Sequence, residues 1–234
     1  MSTSTLTQKQ QAAIAALIEP MTLAKGVGSK ESACSIAAIN LALTGEVTDR
    51  IPDCMSEVIG RWIIQIQDRM PAGIRNSAEW KRLLPLAAGT GRAKEEKRLA
   101  LIKDWMWRTL LLVQPVADAN GFGTEWAAML REKTRAATYA TYAAAAAAVA
   151  ADDATDDATD DATDDATATA VAAATAAVAA ATAAVAAANA AYAVTTATWA
   201  TTTAAAYASA AADAADAWQS INPCGLLHEL IMLG

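Results

Sequence analysis

The stretch MSEVIGRWIIQIQDRM, residues 55–70, runs up to Pro71 and carries Val58, Trp62, Ile63 and Ile66 at intervals of three and four. Residues so spaced share one face of an α-helix, so the stretch predicts an amphipathic helix with one buried stripe. The flanking sequence repeats this design. Upstream, a helix is expected over 9–18, stopping before Pro20. A second is expected to begin near Ser29 as N-cap, run through ESACSIAAINLALT and end at Gly45. Downstream, NSAEWKRLLPLAA supplies a fourth helix. A fifth comes from AKEEKRLALIKDWMWRTLLLVQPVADANG, where Leu99, Ile102, Met106, Leu110 and Val113 recur at helical spacing. Most of the chain's 11 glycines and 6 prolines fall between these runs, as expected for helices joined by tight connections. Residues 1–123 therefore read as a compact helical head.

Past Gly123 the composition changes, because neither Gly nor Pro returns until Pro223 and alanine, the strongest helix former, dominates. One helix is expected over about 125–151. Farther on, Val171, Val178, Val185, Tyr192 and Trp199 recur every seven residues, with Ala174, Ala181 and Ala188 at the second core position. A seven-residue period is a coiled-coil seam. The expected fold is all-α, a head with a projecting Ala-rich antiparallel helical hairpin over 124–218. Between its arms, residues 152–167 repeat Asp-Asp-Ala-Thr four times. Asp and Thr are weak helix formers and aspartates four apart repel, so the repeat reads as a solvated hinge or a frayed helical extension. The alternative is divalent-cation binding, although the Gly turn and the bidentate Glu of an EF-hand are missing. In residues 219–234, Asn222 and Pro223 start a helix whose Leu226, Leu227, Leu230 and Ile231 form an apolar face. That helix is expected to dock on the head.

Charge divides the chain in the same way. All 18 Lys and Arg lie between Lys9 and Arg135, against 14 acids over residues 1–135, a formal charge of +4. The remaining residues hold 11 acids and no Lys or Arg, giving −11, so the net −7 describes neither half. Three cysteines, Cys34, Cys54 and Cys224, behind an N-terminus with neither a basic region nor an apolar core point to reduced thiols and a cytoplasmic protein. Residues 166–212 are uncharged but contain no Leu, Ile or Phe, the residues that drive membrane insertion together with Val, so no membrane association is expected.

Candidate sites are few. KGVGSKE, residues 25–31, sets Lys25, Gly26, Gly28, Ser29 and Lys30 at an expected helix start, where free backbone N–H groups can hold a phosphate. Its spacing is not that of a P-loop and no strand precedes it, so an ordinary loop ending in an N-cap is the simpler reading. His228 is the sole histidine and reads as a helix-surface residue. Cys34 and Cys54 are candidate neighbours across two helices and read as small apolar residues. The tryptophans Trp62, Trp80, Trp105, Trp107 and Trp126 read as core. Lys81, Arg82, Arg92, Lys94, Lys97, Arg98 and Lys103 alternate with Glu79, Glu95, Glu96 and Asp104, the pattern of a mixed solvated face rather than of a nucleic-acid surface. No catalytic constellation, metal-ligand spacing or cofactor motif is present in the sequence.

Lys25-Gly26, Ala33-Cys34, Asp49-Arg50-Ile51-Pro52-Asp53-Cys54, Asp104-Trp105-Met106-Trp107-Arg108-Thr109 and Leu226-Leu227-His228-Glu229-Leu230-Ile231 resemble corresponding stretches of a group of uncharacterised proteins from bacteria and their phages. That group combines a helical head, an Ala-rich tract and a Leu-Leu-x-x-Met/Ile ending. The resemblance covers most of the chain and implies no activity. The tract here departs from the group's by lacking Arg and carrying the Asp-Asp-Ala-Thr run. The Ala/Thr tract also resembles type I antifreeze helices, although Thr175, Thr182, Thr196 and Thr203 keep the period of the seam instead of the ice-binding register. The expected function is that of a non-enzymatic interaction or accessory module with a protein partner, and the resemblance implies a bacterial or phage-encoded origin. Ice binding, and phosphate or nucleotide binding at the Lys25–Lys30 turn, are the alternatives.

Overall fold

The computed structural model describes residues 6–112, 114–119, 121–134, 137, 140, 141, 144 and 214–233. The Asp-Asp-Ala-Thr repeat and the heptad seam lie outside the described residues, as does most of the expected hairpin over 124–218. Every regular element described is helical: α1 Gln8–Ile18, α2 Ser35–Thr44, α3 Glu57–Gln67, α4 Ala72–Arg75, α5 Ala78–Ala88, α6 Glu95–Leu111, α7 Gln114–Ala119, α8 Gly123–Glu132, α9 Ala214–Ile221 and α10 Pro223–Met232. The protein is all-α, and no described helix is long and apolar enough to cross a membrane. The chain divides into two compact units, 1–102 with 222–234 and 103–221.

In the first unit, local chemistry sets each helix start. Thr7 and Gln10 form a reciprocal capping box on α1. Ser56 Oγ accepts from Ile59 N–H on α3, and Ser77 Oγ from Trp80 N–H on α5. Helix α5 runs through Pro85, the one proline inside it. The second helix starts later than the sequence suggests. Residues 24–34 fold back on themselves, with an antiparallel bridge between Gly28 and Ala33, so the chain is not helical at Ser29. Gly28 has φ +80° and lies so close to the Ser32 carbonyl that a Cβ would strike it. Helix α2 begins at Ser35, where Cys34 is the N-cap and its Sγ accepts from Ala37 N–H at 3.3 Å.

Helices α1, α2 and α5 pack together, α3 lies against α2, and α10 packs on α5 and α3. The stripe of residues 55–70 is buried as its spacing predicts: Val58, Trp62, Ile63 and Ile66 are at most 1% exposed. Trp62 meets Trp80 with ring centroids 6.0 Å apart. The C-terminal helix brings buried Leu226, Leu227 and Leu230. Asn222, at φ +46°, caps it through Gly225 N–H, and Pro223 occupies its first turn, where a missing N–H costs nothing.

The expected single helix over 93–121, most of which lies in the second unit, is two. Pro115 removes the N–H that would continue the ladder, and α6 gives way to α7. The helix expected over 125–151 is interrupted after Glu132, because Lys133 takes the left-handed conformation, φ +53°, and closes α8 through its N–H to the Met129 carbonyl; residues 137, 140, 141 and 144 are again helical. A side chain in that region is strained. The Lys133 ammonium lies 5.6 Å from the Trp107 ring centroid, a cation–π contact that offsets part of the cost. Indole N–H groups tie the unit together: Trp105 donates to the Ile221 carbonyl at 2.7 Å and Trp126 to the Leu110 carbonyl at 3.2 Å.

Candidate functional site

The turn singled out in the sequence is closed upon itself. Gly26 N–H donates to Asp68 Oδ1 at 3.0 Å and Ser29 N–H to the Ser32 carbonyl at 2.8 Å. Glu31 N–H reaches Ser29 Oγ, whose hydroxyl donates to Glu31 Oε2 at 2.7 Å. The Ser29 hydroxyl, then the backbone N–H and Lys30, hold the Glu31 carboxyl below its usual range. Lys25, Gly26, Gly28, Ser29 and Lys30 are thus contiguous and exposed, with Asp68 and Glu31 facing the backbone donors that an anion would need.

The cysteines are three free, buried thiols. Burial pushes the Cys54 thiol up. Cys224 is pushed up to about 11 by burial and the nearby Glu79, against the opposing effects of Ser77 and Arg82. A thiol so protonated is a poor nucleophile. His228 is exposed on α10. Among the described residues, no group of His, Cys, Asp and Glu is placed to hold a metal ion.

Arg98, which the sequence places on a solvated face, is fully buried instead. Its guanidinium donates to the Leu230, Gly91 and Thr90 carbonyls at 3.2, 2.9 and 3.1 Å, so it closes the last turn of α10 and the segment after α5. Burial lowers its pKa while Glu95 raises it. Glu95 is also committed to structure. Its Oε1 accepts from Glu57 N–H at 2.9 Å, and its Oε2 from Ser56 Oγ at 2.7 Å and Val58 N–H at 3.2 Å, which satisfies the open N-terminus of α3. Arg75, likewise buried, donates to the carbonyls of Leu23, Gln67 and Met70. These buried charges serve helix ends.

Charged side chains do converge at a cleft of about 480 Å³ between the end of α1 and the start of α5, lined by Ala15, Glu19, Asn76, Ala78, Lys81 and Arg82. Lys81 Nζ donates to the Glu19 carbonyl at 3.1 Å and so sits on the C-terminus of α1, where the helix dipole favours a cation. Asn76 is occupied: Oδ1 accepts from Leu23 N–H at 2.7 Å, and Nδ2 donates to the Leu23 and Ala72 carbonyls. Arg82 forms no hydrogen bond or ion pair among the described residues.

No family model, curated protein or solved structure matches the chain.

No motif in the sequence marks this cleft. Ala15 and Ala78 are far apart in the chain and carry no chemical signal; only the packing of α1 on α5 brings them together. The available trace was the Lys81-Arg82 pair in the second turn of a helix whose opposite face is apolar.

Proposed function

We propose that this protein is a binding module rather than an enzyme, and that the cleft between α1 and α5 receives a ligand or a group from a protein partner. The observation that carries this reading is the cleft itself. Its volume of about 480 Å³ falls within the roughly 300–1,000 Å³ of small-molecule sites. Its walls offer cationic side chains that the fold has not fully used. The commitments of the other reactive groups point the same way, since the three thiols are buried, burial pushes those of Cys54 and Cys224 toward the protonated form, and Arg75, Arg98 and Glu95 cap helices. Reduced buried thiols fit a cytoplasmic setting, and the resemblance to bacterial and phage proteins suggests bacterial lysates as the source of a partner.

Filling the cleft tests the reading. Ala78 lies at the exposed first turn of α5, so Ala78→Trp occupies the cleft without entering the core and is expected to melt like wild type. Both proteins are used as bait in the same bacterial lysate. Material held by wild type and lost from Ala78→Trp supports the assignment. An identical retained set, or nothing held by either, contradicts it.

A further inference from the structure

We infer that the cleft takes a compact organic monoanion, a carboxylate carried on an alkyl or aryl body, an inference that rests on the reading of the cleft as a binding site. Its charged lining is Lys81 and Arg82 against Glu19, an excess of one positive charge. Lys81 uses one ammonium N–H on the Glu19 carbonyl, which leaves two, and the Arg82 guanidinium has five donors with no acceptor in the described protein. The Asn76 amide hydrogens are both spent, so donors for a ligand come from the two cations. A carboxylate matches a planar guanidinium in two parallel hydrogen bonds. One negative charge balances the excess, whereas a phosphate dianion overshoots it beside Glu19. The remainder of the ligand is fixed by Ala15 and Ala78. Both line the cleft and gain from contact with an apolar body, which a bare inorganic ion does not supply.

The experiment is calorimetric titration of the intact chain with octanoate, octanamide and inorganic phosphate at low salt, repeated with Arg82→Gln and Ala78→Trp. Octanoate is expected to bind saturably at one site. Octanamide and phosphate are each expected to bind at least about tenfold more weakly, as is octanoate to Arg82→Gln, a loss of about 1.4 kcal/mol or more. Octanamide binding as well as octanoate overturns the charge assignment. Phosphate binding as well as octanoate overturns the apolar half, and an unchanged affinity in Arg82→Gln overturns the role of that residue. Absence of saturable octanoate binding overturns the ligand class. If it occurs while Ala78→Trp still loses the material captured from lysate, the cleft reading survives and only the ligand class falls. Wild-type octanoate affinity in Ala78→Trp means that the cleft is not the site.

Discussion

Replacing Arg98 by Met keeps much of the side-chain stem and removes the guanidinium, so it isolates the three hydrogen bonds to the Thr90, Gly91 and Leu230 carbonyls. A buried acceptor left without a donor costs about 1–3 kcal/mol, so the gross penalty is about 3–9 kcal/mol. Against it stands the relief of no longer burying a cation, the same desolvation that lowers the Arg98 pKa. Breaking a buried charged interaction from one side typically costs about 3–5 kcal/mol after such offsets, and that is the loss expected here. It is a large share of the roughly 5–15 kcal/mol that holds most domains folded. Urea titrations of wild type, Arg98→Met and Arg98→Lys, followed by tryptophan fluorescence and far-ultraviolet circular dichroism, measure it. Arg98→Lys should fall between the other two, because an ammonium retains the charge but lacks the planar fork. If Arg98→Met lies within about 1 kcal/mol of wild type, Arg98 does not hold the C-terminal helix in the way its geometry implies.

Glu95→Ala removes the acceptors for Ser56 Oγ, Glu57 N–H and Val58 N–H and should cost about 1–2 kcal/mol, in the range of a lost helix cap; urea midpoints equal to wild type refute the capping role. Gly28→Ala places a Cβ at positive φ against the Ser32 carbonyl and should cost about 1–3 kcal/mol, measured by thermal melting, with no loss meaning that the turn relaxes freely. Cys224 gives a pH dependence whose sign follows from the direction of its shift. The folded state raises the Cys224 pKa from 9.0 to about 11, so the unfolded chain releases this proton first. The stabilisation is complete below the unfolded value and is lost as pH rises from about 9 toward 11. Cys224→Ser should flatten that fall in urea midpoints, and an unchanged slope contradicts the assignment.

Elements governed by local chemistry could be read from the sequence. The stripe of Val58, Trp62, Ile63 and Ile66, the start of the last helix at Asn222-Pro223 and the helix containing Trp80 each combine a cap with one apolar face, and the structure builds them accordingly. The structure departs from the sequence expectation where tertiary contacts decide the outcome. Ser29 looks like an N-cap, but its hydroxyl and N–H are engaged by Glu31 and Ser32 in a folded-back turn, and the cap falls to Cys34, a residue type with little capping signal. Lys133 interrupts the helix expected over 125–151, through a left-handed conformation accompanied by contact with Trp107. Arg98 lies in a run of alternating charges indistinguishable from a solvated face. Its burial depends on carbonyls from residues 90, 91 and 230, and no periodicity records those. The cleft was illegible for the same reason, being made by the meeting of α1 and α5 rather than by a motif.

The most direct test of where this protein binds is an amide chemical-shift map of the intact chain titrated with octanoate. The largest changes are expected at Ala15, Glu19, Ala78, Lys81 and Arg82, saturating together with a single dissociation constant. Changes confined to Lys25, Gly26, Gly28, Ser29 and Lys30 would move the site to the turn, and a spectrum that does not change would contradict the carboxylate as the ligand of the cleft.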